Sequence, residues 1–207
     1  MQNCEDLHKK SMDNSIDKKN VYNNWADNYD DYVKSLNYTG PKEIVNHLVP
    51  YLENKHEKQN ILDFGCGTGL VGEELKNYSY DYVLDGIDVS EKMIEKAESK
   101  QIYNKIFNID LHKEDFKEDL KEDRKYNFII SSGVFLEGHV NFDVIDKLHK
   151  ILEKDGIIIV TIRNSYKDKN KETFDSYFKN NANFKSALLS KIDYLKDVEC
   201  SLVVLLN

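Results

Sequence analysis

Residues 61–69 read Ile-Leu-Asp-Phe-Gly-Cys-Gly-Thr-Gly. The apolar run from Asn60 to Phe64, bounded by glycine, has the composition of a buried strand. It leads directly into glycines at the alternate positions 65, 67 and 69. Glycine there permits positive φ and lets a ligand approach the main chain. A helix that follows such a loop offers its first amides to that ligand. Asp63 sits at the strand end, where its carboxylate can accept from an ammonium group or order the loop through its amides. Further on, Tyr82 to Asp88 reads as a second strand that ends in the acid of DGIDVS. An acid roughly 20 residues beyond the glycines can hydrogen-bond both hydroxyls of a ribose. Loop and acid together point to a nucleoside-type cofactor.

The glycine register bears on which cofactor. Gly67, Gly69 and Gly72 formally match the G-x-G-x-x-G of dinucleotide binders. In that register the first glycine lies two residues beyond the tight turn, and Gly72 falls inside the helix. The register Gly65, Gly67, Gly69 with Asp63 before it fits better, and it favours a ligand with a charged amino-acid end and no pyrophosphate. A Y-x-x-x-K pair exists at Tyr51 and Lys55 but precedes the cofactor unit. An NAD-type oxidoreductase therefore stands as an alternative, as does a cofactor-binding module without turnover.

Outward from this stretch, strand and helix alternate. Ser90 caps a helix over 91–100, with Met93, Ile94 and Ala97 on one face. Ile106–Ile109, Tyr126–Ser131 and Ile157–Ile162 read as further strands, and Val144–Leu152 as a helix. Such alternation implies βαβ crossovers and a mainly parallel sheet, with its ligand at the carboxyl ends of the strands. The runs 191–195 and 200–206, around Lys196-Asp197, fit a closing antiparallel hairpin, with one last strand alone as the other reading. Upstream, Ile44, Val45, Leu48, Val49 and Leu52 follow Pro41 at helical spacing. Residues 1–20 are charged and poor in apolar side chains and read as a loose arm or a frayed helix. Residues 21–207 read as one domain.

The chain has 207 residues, with Asp+Glu 37 against Lys+Arg 29 and a net charge of -8. An acidic surface disfavours nucleic acid, and the only arginines are Arg124 and Arg163. No apolar run approaches the roughly 20 residues of a membrane span. The start, MQNCEDLHKKSMDNS, is too polar for a signal peptide. Cys4, Cys66 and Cys200 are few and scattered, which suits a reducing, cytoplasmic setting and no disulfide framework. Without C-x-x-C or H-x-x-x-H, no metal site is indicated. The expectation is a protein without nucleic-acid or membrane partners, a monomer or a weak dimer.

With LDFGCGTGL, the acid of GIDVS, IDL at 109–111, FIISSGVF at 128–135 and the IIIVTIR strand, the chain resembles the class I S-adenosylmethionine-dependent methyltransferases. A narrower likeness, to the methyltransferase-like protein 27 group, is carried by VYNNWADNYDDYV at 21–33, CGTGLVGEEL at 66–75 and TIRNS at 161–165. The resemblance implies a Rossmann-like α/β fold: a mainly parallel seven-stranded sheet with helices on both faces, a C-terminal antiparallel hairpin and a helical lid over 21–52. It implies S-adenosyl-L-methionine as cofactor, S-adenosyl-L-homocysteine as product and a small-molecule methyl acceptor.

It also implies roles residue by residue. Asp63, Gly65 and Gly67, with Cys66 between the glycines, would hold the methionine part and Asp88 the ribose. Val89 and Met93 would line the adenine slot, Asp110 would accept from the adenine amino group, and Leu111 would cover the ring. Ser131 or Ser132 would flank the cofactor near the methyl group. Tyr22, Trp25 and Tyr29 would form an aromatic lid over the sulfonium; the other reading of Trp25 and Tyr29 is a staple of the N-terminal helices. No residue is assigned as catalytic. His139, then His112, are the bases to consider should the acceptor carry a proton. Arg163 and Asn164, after the fifth strand, can meet an acidic group on a small acceptor. The charged stretch 113–125 reads as a solvated face.

Overall fold

The computed structural model describes residues 2–111, 120 and 124–207. His112 and most of the charged stretch 113–125 lie outside the described residues. From Gln59 onward the alternation becomes β1 (Gln59–Phe64), α5 (Leu70–Leu75), β2 (Tyr82–Asp88), α6 (Glu91–Ser99), β3 (Lys105–Asn108), β4 (Tyr126–Phe135), α7 (Val144–Lys150) and β5 (Leu152–Arg163). Two short helices, α8 (Asn164–Lys169) and α9 (Lys171–Phe174), precede β6 (Ser186–Leu195) and β7 (Val198–Leu206).

The strands form one seven-stranded sheet in the order β3-β2-β1-β4-β5-β7-β6. β1 pairs in parallel with both β2 and β4, and β4 with β5. β7 runs antiparallel between β5 and β6 and closes the sheet with a hairpin. Asp197, at φ +60°, makes its turn. The strand order reverses between β1 and β4, and that is where an open α/β sheet presents a crevice.

Burial explains the pattern. β5 carries Ile157, Ile158, Ile159 and Val160, all buried, because helices cover both sheet faces. One face packs under α7 through Ile145 and Leu148. The other packs under α4 (Gly40–Leu52) through Ile44, Val45, Leu48 and Leu52, the helical stripe that follows Pro41.

A third apolar cluster lies over the carboxyl ends of the strands. It is built by α1 (Gln2–Ser11), α2 (Lys18–Trp25) and α3 (Tyr29–Ser35). Of the two readings of the N-terminal segment, a loose arm or a frayed helix, Gln2–Ser11 is helical. Cys4, Leu7 and Ser11 recur at helical spacing and are buried, the first two against Trp25 and Met93. A stripe of three residues in an otherwise charged and polar helix is a weak sequence signal.

Candidate active site

The loop after β1 is shaped by its glycines. Gly65, Gly67 and Gly69 stand at φ +75°, +53° and +90°. The amides of Gly65 and Cys66 both donate to the Ile87 carbonyl, at 2.8 and 2.9 Å, which fastens the loop to the end of β2. The Gly67 amide donates to Asp88 Oδ2 at 2.8 Å, and the Ser90 amide to Oδ1 at 2.9 Å. Burial raises the Asp88 pKa, and these amide bonds oppose the rise. Each carboxylate oxygen has a second acceptor site beyond the amide it already holds. A Cβ at Gly67 would meet nothing within 4 Å, so this peptide faces open space.

Asp63 works from beneath the loop. Tyr103 donates to its Oδ2 at 2.6 Å, while Oδ1 is buried with no hydrogen-bond partner. Burial pushes the carboxyl up to about 7, against the Tyr103 bond and with some help from the Asp88 charge. The Tyr103 ring fills the space below Gly69 and Gly72. Cys66 also turns inward, toward Gly86, and burial pushes its thiol well up.

Above the loop opens a cavity of roughly 610 Å³. Gly65, Gly67, Asp88, Val89, Met93, Asp110 and Leu111 line one side, and Ser132, Gly133 and Val134 line the end of β4. Tyr22 and Tyr29 stand across from them, and residues between Asn14 and Lys19, up to the first turn of α2, also line it. Of the cofactor-binding residues expected from the sequence, Asp63, Cys66, Trp25 and Ser131 are outside this lining, as are Arg163 and Asn164. Ser131 is fully buried and donates to the Phe64 carbonyl at 2.7 Å, so its neighbour Ser132 is the one that faces the space. Strand alternation puts adjacent serines on opposite faces. Trp25 lies behind the tyrosines, 5.0 Å from the Tyr29 ring and 6.0 Å from Tyr22.

His139 lies on the cavity wall. Its Nδ1 is 3.0 Å from the Glu137 carbonyl, which only accepts, so in the neutral ring Nδ1 carries the proton. Nε2 then accepts from the Tyr22 hydroxyl at 2.7 Å.

Two latches, Asn23 and Asp30, were not legible in the sequence. Asn23 Oδ1 accepts from Ser90 Oγ at 2.7 Å and from the Lys92 amide at 3.1 Å, so α2 caps the start of α6. Asp30 accepts from Thr68 Oγ1 of the glycine loop and from Lys100 Nζ at 2.9 Å. Lys100 bridges onward to Glu73 at 2.7 Å. A short polar side chain in a charged helix carries no mark of its tertiary partner. Among the described residues no cluster of side chains could hold a metal ion.

A sheet of this order, with a glycine loop and a strand-end acid at its switch point, defines the class I, Rossmann-like methyltransferase fold. A family model described as a methyltransferase domain matches residues 55–198, and the chain belongs to that family, whose cofactor is S-adenosylmethionine. The chain is 28% identical over 163 residues to human methyltransferase-like protein 27, covering 76% of this chain and 64% of that protein. To the malonyl-[acyl-carrier protein] O-methyltransferase 2 of Ilyobacter polytropus it is 29% identical over 147 residues, 70% of this chain and 54% of the relative. The chain thus spans less than two thirds of either relative. Its fold matches the crystal structure of an S-adenosylmethionine-dependent methyltransferase from Clostridium acetobutylicum at a TM-score of 0.61, with 16% identity, over 89% of this chain and 98% of that one.

Proposed function

We propose that this chain transfers a methyl group from S-adenosyl-L-methionine to a small-molecule acceptor and releases S-adenosyl-L-homocysteine. The observation that carries the reading is the cavity of roughly 610 Å³, floored by the glycine loop, flanked by Asp88 and roofed by Tyr22 and Tyr29. Its size falls within the range of small-ligand sites. The residues present fit the cofactor: an open peptide at Gly67, a carboxylate with acceptor sites to spare, and an apolar slot at Val89 and Met93.

When bound, the cofactor supplies an electrophilic methyl group on a sulfonium. Gly65 and Gly67 would hold its amino-acid end and Asp88 its ribose. Val89, Met93 and Leu111 would enclose the adenine, with Asp110 at its amino edge. Asp63 would shape the loop from beneath through Tyr103. The aromatic faces of Tyr22 and Tyr29 suit a cation and exclude water. Because charge disperses in an in-line displacement of this kind, holding the two reactants at near-attack distance supplies most of the rate. For an acceptor that must lose a proton, His139 would serve as base through the Tyr22 hydroxyl that donates to its Nε2. The acidic net charge and the paucity of arginine favour a small acceptor over nucleic acid.

Calorimetric titration with S-adenosylmethionine, S-adenosylhomocysteine and NAD tests the reading. Micromolar binding of the first two and none of the third is expected, followed by turnover on a panel of metabolites. A folded protein that binds only NAD would overturn it. Cofactor binding without turnover on any acceptor would reduce it to a binding module.

A further inference from the structure

Behind Tyr22 and Tyr29 lies a second chamber of about 40 Å³. Tyr22, Tyr29 and Gly133 face both it and the main cavity. Its other polar walls are His8, Ser11, Trp25, Tyr32, Tyr38, Tyr194 and Arg163, and among the described residues no acidic side chain lines it. This is a notable lining in a chain with 37 acidic residues and two arginines. The other arginine, Arg124, pairs with the buried Asp85 at 2.8 Å. Arg163 has no carboxylate partner among the described residues. Its Nη1 meets only the Met12 thioether, at 2.7 Å, and its Nε is buried without a partner. The indole Nε1 of Trp25, a residue 2% exposed, is likewise buried and unpartnered.

A thioether is a weak acceptor, and a guanidinium does not deprotonate in a protein. A guanidinium Nε and an indole N–H that are both buried without partners, against one small pocket, are costly to keep. Burial and the Arg163 charge together hold His8 below its ordinary pKa, so the fixed charge of the chamber is that of Arg163. The tyrosine rings alone would suit a cationic ligand, but Arg163 repels one.

We propose that this chamber seats a carboxylate of the methyl acceptor, gripped by Arg163 and the Trp25 N–H, with the rest of the acceptor extending past Tyr22 and Tyr29 into the main cavity. The proposal rests on the methyl-transfer reading and narrows its acceptor to a small carboxylate-bearing molecule. A guanidinium fork matches a carboxylate in shape. The chamber is roomier than the roughly 10–15 Å³ that a single water needs on the same measure, which leaves space for a group of carboxylate size.

Trp25 is the chain's only tryptophan and lines this chamber and not the main cavity, so with the cofactor site already saturated its fluorescence reports on occupancy here. Protein saturated with S-adenosylhomocysteine is titrated with propionate, propionamide, tetramethylammonium and sulfate. A saturable change with propionate alone is expected. Arg163→Gln should weaken propionate at least tenfold while calorimetric affinity for S-adenosylhomocysteine stays within twofold. Arg163→Lys, which keeps charge and loses the fork, should lie between, and it decides the matter should the glutamine variant not fold. Equal responses to propionate and propionamide, or propionate binding that survives Arg163→Gln, would overturn the proposal. Saturation by tetramethylammonium in place of propionate would make the chamber a cation cage, and equal binding of sulfate a general anion site, and either outcome also overturns it. If propionate saturates Trp25 but S-adenosylhomocysteine does not bind, the methyl-transfer reading fails and the anion seat stands.

Discussion

Replacing Gly67 by alanine separates the needs of the ligand from the needs of the fold. Gly67 stands at φ +53°, where a side chain costs about 1–2 kcal/mol. The added Cβ meets no protein atom within 4 Å. In a domain of this size each kcal/mol lowers Tm by about 2–4 °C, so Gly67→Ala should melt cooperatively about 2–8 °C below the parent. The methyl group nevertheless enters the space above the loop. Overpacking against a well-fitted ligand costs about 1–3 kcal/mol, which is roughly a 5- to 150-fold loss in affinity. Gly65→Ala is the contrast. Its Cβ falls 2.3 Å from Val134 Cγ2, at φ +75°. Strain and overlap together reach about 2–5 kcal/mol, so the fold itself should suffer. Calorimetric titration of S-adenosylhomocysteine, paired with a thermal melt, reads both effects. If Gly67→Ala binds as tightly as the parent, no ligand lies against this peptide and the loop assignment is refuted.

Asp88→Ala should weaken S-adenosylhomocysteine by about 1–3 kcal/mol through lost charge-assisted bonds, and undiminished affinity by calorimetry would remove its ribose role. Asp63→Asn tests the buried carboxyl. Because the folded value is raised to about 7, the stability linked to its proton is full below pH 4 and is lost as pH rises to 7. The asparagine variant should therefore match the parent near pH 4 and gain on it up to pH 8, by on the order of 4 kcal/mol at most at about 1.4 kcal/mol per unit; urea melts at several pH values that show a constant difference would contradict this. Asp30→Ala frees Thr68 and Lys100 from α3. Limited proteolysis should then cut the N-terminal helices faster while the sheet resists, and an unchanged cleavage rate would show that the latch does not hold them.

The sheet was legible because its strands carry their own signal. Ile157 to Val160 must be apolar on both faces, and glycine at 65, 67 and 69 is forced by positive φ, so each leaves a mark in the local text. What escaped was set by tertiary partners. Asp63 is a strand-end acid on paper, yet Tyr103, some forty positions later in the chain, turns it beneath the loop and away from the cavity wall. Ser131 and Ser132 differ by one step of the strand, and register alone decides which one faces the site. Arg124 reads as one charge in a solvated run, but it neutralises Asp85, a carboxylate with no exposed surface that Tyr126 and Asn104 also serve.

The N-terminal helices show how these two kinds of information meet. Their aromatic residues announce a lid, but their polar residues decide where it sits: Asn23 on the first turn of α6, Asp30 on the glycine loop. Both anchor points belong to the segments that hold the proposed cofactor, so the lid and the floor of the cavity are fixed to one another. The same helices close the Arg163 chamber through His8, Ser11 and Trp25. A segment that roofs one cavity and walls the other couples them physically. Occupancy of the cofactor cavity should therefore order the wall that the acceptor meets, and an acceptor should bind more tightly to the S-adenosylhomocysteine-loaded protein than to the bare chain.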